Sequence, residues 1–360
     1  MTCVLAVRTV FPPHRYSQHE ITDDLVSSLA HGTDRDLVRR LHAAAGVESR
    51  CLALPLDRYR DLGTFGETNR IFIDLATTLG AEAVEGALHE AGVRPEDVDL
   101  VVSTTVTGIA TPSLEARLAA RTGLRSDVKR VPLFGLGCAA GAAGLARVHD
   151  FLEGRPDSTA LLLSTELCSL TFQRRETSRA NLVAGSLFGD GVAALVAVGG
   201  GRARRTSQSA SGRLGCSGPT VVAARSRLYP GTEHVLGWEV GDWGFRMVLG
   251  PEVPALVRLH VTEEVESFLA EHDLKPGDVG EWICHPGGPR ILDALASELG
   301  LPESALARSR RALARHGNLS SASVLQILWD TQIERPPPGT TGLMIAFGPG
   351  FSSELVLLAW

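Results

Sequence analysis

The feature that most constrains the fold is an internal repeat at about half the length of the chain. The passage LHEAGVRPEDVDLVVSTT begins at Leu88, and LAEHDLKPGDVGEWICHP begins at Leu269, 181 positions later. Leucine, proline, aspartate and valine recur at the same places, and each passage has the pattern of a helix end, a turn and a buried strand. A repeat of this kind indicates two copies of one structural unit.

Two further matches occur in the same order along the chain. Gly137 and Cys138 precede one apolar helical segment, and Gly317 and Asn318 precede another, NLSSASVLQILWD, at an offset of 180. LFGDGVAALVAV resembles AFGPGFSSELVLL, and both have the pattern of a glycine turn that enters a strand. We interpret the three ordered matches as a duplication rather than as chance similarity between alanine-rich segments.

The duplication predicts the fold class and the domain organisation. Helices alternate with apolar strands, which is typical of α/β proteins with buried, mostly parallel sheets. Two pseudo-twofold-related halves packed face to face form one five-layer αβαβα body. We expect a first half over residues 1–200, a basic and serine-rich linker over 201–220, and a second half over 221–360. A chain of 360 residues is long enough for two fused cores.

Composition excludes several classes of function. A net charge of -6 and a pI near 6.0 argue against nucleic-acid binding. The sequence contains no run of eighteen apolar residues, so it predicts no membrane span. The first residues have the pattern of a strand rather than of a signal peptide. The six cysteines have no CxxC spacing, which favours reduced thiols in a cytoplasmic protein over a disulfide framework or a zinc site. No metal or nucleotide-cofactor motif is present in the sequence.

Cys138 lies among glycines and alanines at the start of a helical segment, FGLGCAAGAAGLARVHDFLEG. The free N–H groups and the dipole of a helix N-terminus favour an anion, so this thiol is expected to ionise readily. The alternative is a small buried structural cysteine. For Cys168, in the apolar LLLSTELCSL, we expect a structural role.

His285 and Asn318 also lie at the ends of predicted elements. His285 ends an apolar strand, where its structural alternative is a capped loop histidine. Asn318 precedes a helix, where its structural alternative is an N-cap. Under the repeat Cys138 corresponds to Asn318, and His285 corresponds to Thr104. These residues are therefore expected to face the seam between the halves, where a pocket is expected.

Four motifs together resemble a known family. GLGCAAGAAGL at Cys138, HPGGPRIL at His285, HGNLSSASVL at Asn318 and FGPG at Phe347 resemble the bacterial type III polyketide synthases, relatives of chalcone synthase on the thiolase fold. The resemblance extends from about Thr9 to the C-terminal residue. The HPGG and GPG motifs distinguish the chain from the ketoacyl synthase III enzymes, which it also resembles in fold.

The resemblance implies a decarboxylating condensation on CoA thioesters. An acyl-CoA starter is loaded on Cys138, whose thiolate His285 stabilises, and malonyl-CoA units are decarboxylated and condensed onto it. Donors from His285 and Asn318 hold the enolate oxygen. The small residues along the expected cavity favour a long acyl starter and an alkylpyrone or alkylresorcinol product. A synthase that uses malonyl-CoA alone, of the tetrahydroxynaphthalene or dihydroxyphenylacetyl-CoA type, is the alternative.

Further positions match the family's motifs one at a time. Phe188 and Phe245 resemble the two aromatic gatekeepers between the CoA tunnel and the cavity. The positions that the resemblance assigns to the cavity wall and to the dimer contact are Thr171, Ser320, Gly348, Pro349, Gly350 and, reaching the pocket of the partner subunit, Thr111. Arg40 matches a basic residue that holds CoA, whereas Ala44 departs from the pattern, and Arg290 is our candidate for a compensating phosphate contact.

The family also implies a homodimer with CoA thioesters as substrates, no metal and no further cofactor. Three rival hypotheses remain open at this point. One is a ketoacyl synthase III-like enzyme that performs a single condensation and takes an acyl carrier protein. The others are a cysteine hydrolase, which also orders its residues Cys, His and Asn, and a non-catalytic acyl-binding scaffold.

Overall fold

The computed structural model describes residues 1–28, 34–174, 176–207, 216 and 218–360. In these ranges the strands are β1 (Thr2–Val10), β2 (His14–Ser17), β3 (Ser49–Leu52), β4 (Leu100–Thr104), β5 (Lys129–Leu133), β6 (Thr159–Leu167), β7 (Asp190–Gly199), β8 (Thr220–Leu228), β9 (Leu236–Gly241), β10 (Gly244–Leu249), β11 (Val279–Cys284), β12 (Thr341–Gly348) and β13 (Ser352–Ala359). The helices are α1 (Gln18–Ser28), α2 (Arg35–Ala43), α3 (Phe65–Ala91), α4 (Leu114–Thr122), α5 (Ala140–Gly154), α6 (Arg179–Leu187), α7 (Gly200–Ser207), α8 (Val253–Ala270), α9 (Pro289–Glu298), α10 (Ala307–His316) and α11 (Ala322–Glu334).

The strand order displays the duplication directly. The large sheet has the order β5-β4-β6-β7-β1 in the first half and continues as β8-β13-β12-β11 in the second. β4 pairs with β6 in parallel, and β11 pairs with β12 in parallel, while the pairs β6–β7 and β12–β13 are antiparallel. The series β4-β6-β7-β1 therefore matches the series β11-β12-β13-β8 strand by strand, in order and in relative direction. The predicted duplicated α/β fold is confirmed.

Three apolar cores separate the layers. The first lies between α3 and one face of the first-half strands, and the third lies between the second-half strands and the pair α8 and α9. The central core contains α5 and α11 and the inner faces of strands from both halves. This is the predicted order of five layers: helix, sheet, two central helices, sheet and helix. Within the described ranges, no helix combines the length and the hydropathy needed to cross a bilayer.

The two central helices approach each other closely where α5 begins. A Cβ atom built on Gly141 lies 2.1 Å from the carbonyl oxygen of Ser321, the residue before α11, and 2.8 Å from Cγ2 of Val324. Real Cβ atoms essentially never come within 3.0 Å of another heavy atom. Gly141, the first glycine in AAGAAGL, therefore sets the distance between the segments that carry Cys138 and Asn318.

Two described elements fall inside the expected linker over 201–220. α7 occupies its first part, and β8 begins at its last residue. Residues 208–215 and 217 of that expected linker lie outside the described residues. β8 then pairs with β1 through Thr2↔Val221 and Cys3↔Thr220, which makes the sheet continuous from one half to the other.

The expectation of six reduced thiols is wrong at one pair. Cys3 and Cys216 form a disulfide, and their Cα atoms are 5.7 Å apart. The pairing of Cys3 with Thr220 brings the segment before β8 beside the start of β1, within the distance that a bridge requires. Sequence spacing could not reveal this contact because 213 positions separate the two cysteines. Cys51, Cys138, Cys168 and Cys284 are free.

Candidate active site

Cys138 lies in a 3₁₀ turn, Gly137–Ala139, that leads into α5. Gly137 has a φ of +49°, and a Cβ atom there lies 2.6 Å from Cδ of Pro349. A Cβ atom on Gly348 lies 2.6 Å from the carbonyl oxygen of Leu136. The turn that carries the thiol and the GPG loop after β12 are therefore in direct contact, and glycine is required on both sides.

Asn318 is fixed by its backbone and by its own side-chain oxygen. Its N–H donates to the carbonyl oxygen of Leu187 at 2.7 Å, and its carbonyl oxygen accepts from the N–H of Gly189 at 3.0 Å. Oδ1 accepts from the N–H of Ser320 at 2.8 Å. With Oδ1 occupied in this way, the amide NH₂ group is the part of Asn318 that is available to a substrate.

The thiol of Cys138 faces Ser320 and Asn318. Sγ donates to Oγ of Ser320 at 3.6 Å, and Ser320 itself has a φ of +50°. Burial raises the pKa of the thiol to about 12, although hydrogen bonds from Ser320 and Asn318 act in the opposite direction. The expectation of a readily ionised thiol is therefore not met, because the loss of water around the sulfur outweighs its local donors.

His285 follows β11 directly and is almost fully buried. Its N–H donates to the carbonyl oxygen of Ile345 at 2.8 Å, which fixes the residue at the end of the parallel pair β11–β12. Neither Nδ1 nor Nε2 has a hydrogen-bond partner among the described residues. Burial lowers the pKa of the imidazole to about 3, so the ring is neutral at physiological pH. Both ring nitrogens are therefore unoccupied by the protein groups described, and the thiol of Cys138 bonds to Ser320 instead.

Glu166 is a fully buried carboxylate that the sequence analysis missed. Its oxygens accept from the hydroxyl of Ser321, from the hydroxyl of Thr107 at 2.9 Å and from the N–H of Val106 at 3.2 Å. Burial raises its pKa to about 7, and its charge acts on Cys138. The signal in the sequence was a single acidic residue inside β6, which is otherwise uncharged.

Aromatic rings cover one side of the site. The ring centroid of Trp238 lies 6.3 Å from that of Phe188 and 6.2 Å from that of Phe245. The Phe245 ring also packs edge-on against Phe65 at 5.5 Å. Trp238, on β9, therefore connects the two expected gatekeepers, and the sequence analysis did not single it out.

A cavity adjoins these rings. Its empty volume, with its open mouth included, is about 660 Å³, and Cys168, Thr171, Phe188 and Trp238 are among its lining residues. The hydroxyl of Thr171 donates to the carbonyl oxygen of Cys168 at 2.8 Å. Cys168, expected to be only structural, thus lies in a cavity wall, and its pKa is raised mainly by burial and in part by Glu166, Asp190 and Cys138 nearby.

The remaining expected site residues lie at the surface. Thr111 is exposed beside the exposed Ile109. Arg40 on α2 lies 3.7 Å from a carboxylate oxygen of Asp34, and Arg290 is exposed at the start of α9. A Cβ atom on Gly46, after α2, lies 3.0 Å from Cγ of Pro289, so the ends of α2 and α9 that carry the two arginines adjoin. Among the described residues no group of three or more His, Cys, Asp or Glu side chains is arranged to hold a metal ion.

Comparison with sequence profiles gives a match over nearly the whole chain. Residues 1–201 match the profile of the N-terminal domain of chalcone and stilbene synthases, and residues 220–359 match that of the C-terminal domain. A 1,3,6,8-tetrahydroxynaphthalene synthase of Streptomyces peucetius subsp. caesius is 54% identical over 361 residues, which cover 100% of this chain and 93% of the relative. A phloroglucinol synthase of Pseudomonas fluorescens is 30% identical, with 100% and 99% covered.

Solved structures agree with these matches. The crystal structure of 1,3,6,8-tetrahydroxynaphthalene synthase from Streptomyces coelicolor A3(2), a bacterial type III polyketide synthase, superposes with a TM-score of 0.92 at 30% identity and covers 99% of both chains. The fold is thus the thiolase-like fold expected from the motifs, and the enzyme is an acyltransferase that performs decarboxylative condensation. The chain belongs to the chalcone and stilbene synthase family and is a type III polyketide synthase.

Proposed function

We propose that this enzyme builds a polyhydroxylated aromatic compound from malonyl-CoA alone. The observation that carries the proposal is the 54% identity, over the full chain, to a protein named 1,3,6,8-tetrahydroxynaphthalene synthase. Relatives named phloroglucinol synthase and 3,5-dihydroxyphenylacetyl-CoA synthase, at 30% and 31% identity, extend over the same length. Of the two product classes that the sequence left open, we therefore favour the one without a long acyl starter.

In the proposed reaction Cys138 is the nucleophile and His285 its base. Burial keeps both groups neutral, with a thiol pKa of about 12 and an imidazole pKa of about 3. A thiol of that kind attacks a thioester only as its proton leaves, and the unoccupied ring nitrogens of His285 are suited to accept that proton. The C–S bond to CoA then breaks, and the CoA thiolate leaves with the proton from the imidazolium.

Asn318 and His285 are the proposed donors to the enolate. Loss of CO₂ from malonyl-CoA places negative charge on the thioester oxygen. The amide NH₂ of Asn318 is available because Ser320 N–H occupies Oδ1, and a protonated ring nitrogen of neutral His285 is a second donor. Donors of this type in a site without water stabilise the developing charge more than they would in solution.

The aromatic wall is proposed to shield that enolate from water. Phe188, Trp238 and Phe245 form a continuous series of ring contacts, and Phe188 is paired by a backbone bridge to Asn318. Gly348, Pro349 and Gly350 are proposed to shape the opposite wall, because this loop packs on the turn that carries Cys138. Thr171 and Ser320 are proposed to line the cavity between them.

CoA is proposed to approach from the surface where α2 and α9 adjoin. Arg40 and Arg290 are exposed there, and both carry side chains suited to phosphate oxygens. Arg40 already lies near Asp34, which leaves Arg290 as the stronger candidate for a phosphate contact.

A homodimer is proposed from the free edge of the sheet. β5 is the terminal strand, and its side chains from Lys129 to Pro132 are exposed, as are the large apolar side chains Phe134 and Ile109 next to it. An exposed strand edge with apolar neighbours is typical of a surface covered by another copy of the chain. Light scattering on the eluted protein is expected to give twice the mass of one chain, and a monomer would contradict the proposal.

The purified enzyme is to be incubated with malonyl-CoA alone and with added acyl-CoAs from short to long chains, and the products separated and weighed by mass spectrometry. We expect a polyhydroxylated aromatic product from malonyl-CoA alone. The Cys138→Ala variant, treated in parallel, is expected to make none.

Alkylpyrones or alkylresorcinols formed only with a long acyl-CoA would overturn the malonyl-only proposal and restore the long-starter alternative. A single condensation without ring formation would instead indicate a ketoacyl synthase III-like reaction.

A further inference from the structure

The cavity beside the proposed site contains a buried cation that the mechanism above does not use. The cavity lies between α1, α6, β10 and the segments around Leu56 and Ser169, and its wall is mainly apolar. Its apolar lining residues include Leu25, Leu52, Phe172, Phe188 and Trp238. Arg50, from β3, lines the same cavity and is 2% exposed.

The guanidinium of Arg50 is only partly satisfied by the protein. Nη1 donates to the carbonyl oxygen of Phe188 at 2.5 Å. Nε and Nη2 are buried and have no hydrogen-bond partner among the described residues. Burial lowers the pKa of Arg50 to about 10, so the group is still charged at neutral pH. A buried charged group with unpaired donors is costly unless a further acceptor is supplied.

The neighbouring carboxylates are already occupied. Asp190 accepts from the N–H of Ala53 at 2.6 Å and from both the N–H and the hydroxyl of Ser169, and its charge acts on Arg50 without a hydrogen bond to Nε or Nη2. Asp24, on the same cavity, pairs with Arg174 at 2.9 Å. Nε and Nη2 of Arg50 therefore have no acceptor among the described residues, and a carboxylate inside the cavity would supply one.

The cavity adjoins the reaction site at Phe188. This residue lines the cavity, as Cys168 does, and its backbone forms a bridge with that of Asn318. Thr171 and Phe188, expected to bound the space in which the chain grows, line it as well. Arg50 and Asn318 thus both contact the backbone of Phe188, which places the guanidinium close to the site where the chain grows.

We propose that Arg50 binds the carboxylate at the far end of a chain that was started from malonyl-CoA, and so selects malonyl over uncharged starters. The inference rests on the proposed malonyl-only function. When Cys138 attacks the thioester carbonyl of malonyl-CoA, the C–S bond to CoA breaks and CoA leaves as the thiol. The acyl group now on sulfur retains its free carboxylate. Each extender loses CO₂ and adds two carbons at the thioester end, so the carboxylate moves into the cavity as the chain grows.

The apolar wall gives this contact its selectivity. A carboxylate without a partner is disfavoured in such a cavity, and Nε and Nη2 of Arg50 form the two-pronged donor that binds a carboxylate best. An acetyl or hexanoyl starter has no charge at its end and leaves both donors unpaired. Arg50 therefore acts as a residue that determines specificity for the starter.

Starter choice is to be measured with the full-length enzyme. Malonyl-CoA is supplied alone, in competition with hexanoyl-CoA, and in competition with the methyl ester of malonyl-CoA as a neutral starter of nearly the same shape. For the wild type we expect malonyl-primed product to exceed ester-primed product by about 10²-fold, the usual effect of removing one partner of a buried charged pair. In Arg50→Met this preference is expected to vanish while hexanoyl-primed product is retained, and Arg50→Lys is expected to restore part of it.

Arg174→Met is the matched control, because Arg174 lines the same cavity but is already paired with Asp24 and Ser28. We expect it to leave the ratio of starters unchanged. An equal fall in all products and in malonyl-CoA decarboxylation with Arg50→Met would mean that Arg50 only positions Phe188, and would overturn the inference. If Arg50→Met does not fold, equal use of malonyl-CoA and its methyl ester by the wild type overturns it. Absence of any aromatic product from malonyl-CoA alone would overturn the proposed function and the inference together.

Discussion

The close approach of the central helices predicts opposite effects for two glycine-to-alanine substitutions on α5. At Gly141 the new Cβ atom lies 2.1 Å from the carbonyl oxygen of Ser321, whereas ordinary van der Waals contact begins at 3.4 Å. At Gly154, the last residue of the same helix, no heavy atom lies within 4 Å of the new Cβ. Gly141→Ala is therefore expected to destabilise the protein, and Gly154→Ala is expected to leave its stability unchanged or slightly raised.

The magnitude follows from two opposing terms. Alanine improves helix propensity by up to about 1 kcal/mol relative to glycine. Overpacking in a dense core costs about 1–3 kcal/mol, and the backbone carbonyl that Gly141→Ala meets cannot rotate away, which places this substitution at the upper end. We expect a net loss of about 2 kcal/mol for Gly141→Ala. With an unfolding entropy of about 0.8 kcal/mol per kelvin for a chain of this length, the melting temperature falls by about 3 °C.

Calorimetry on both variants measures this difference, and activity supplies a second readout. Displacing the carbonyl of Ser321 also moves Asn318 and Ser320 relative to Cys138, so Gly141→Ala is expected to lose activity at temperatures where it is fully folded. Gly154→Ala is expected to retain full activity at the same temperatures. Equal melting temperatures for the two variants, or full activity in folded Gly141→Ala, would refute the argument from helix contact.

The site itself yields three further predictions. Asn318→Ala is expected to lower the rate of malonyl-CoA decarboxylation by about 10²–10³-fold, measured as CO₂ release, and a smaller effect than about threefold would remove Asn318 from the proposed donors. Burial raises the pKa of Glu166 to about 7, so its contribution to stability is fully present below pH 4.5 and is lost as the pH rises through 7. Glu166→Gln is therefore expected to flatten the pH dependence of the free energy of unfolding between pH 4.5 and 7, by on the order of 3 kcal/mol; an unchanged slope in urea titrations would contradict this. Arg290→Ala is expected to raise KM for malonyl-CoA with little change in kcat, and an unchanged KM would exclude the phosphate contact.

The large-scale architecture was predictable because it leaves a periodic trace in the sequence. The passages at Leu88 and Leu269 became the approaches to β4 and β11, equivalent strands of the two halves. Gly137 and Gly317 both have positive φ and precede equivalent central helices. The sequence repeat alone was thus enough to predict that the ends of the repeated elements face the seam between the two halves.

The electrostatic character of the site was not predictable in the same way. A helix start with small neighbours suggested a readily ionised Cys138, whereas burial raises its pKa to about 12. Desolvation depends on every side chain that packs around the sulfur, and those come from distant parts of the chain. The same holds for Arg50 and Trp238, which both contact Phe188 across a long stretch of sequence, and for the disulfide partner of Cys3.

The correspondence of Cys138 with Asn318 and of His285 with Thr104 has a consequence for how such an enzyme can evolve. A perfectly symmetric chain would carry the same residue at both members of each pair and so present two equal half-sites. In this chain one copy carries the sulfur and the other the amide, so neither copy holds the full set of site residues. Replacement of one repeat by a second copy of the other would therefore keep the order of the strands but remove either the proposed nucleophile Cys138 or the proposed donors His285 and Asn318.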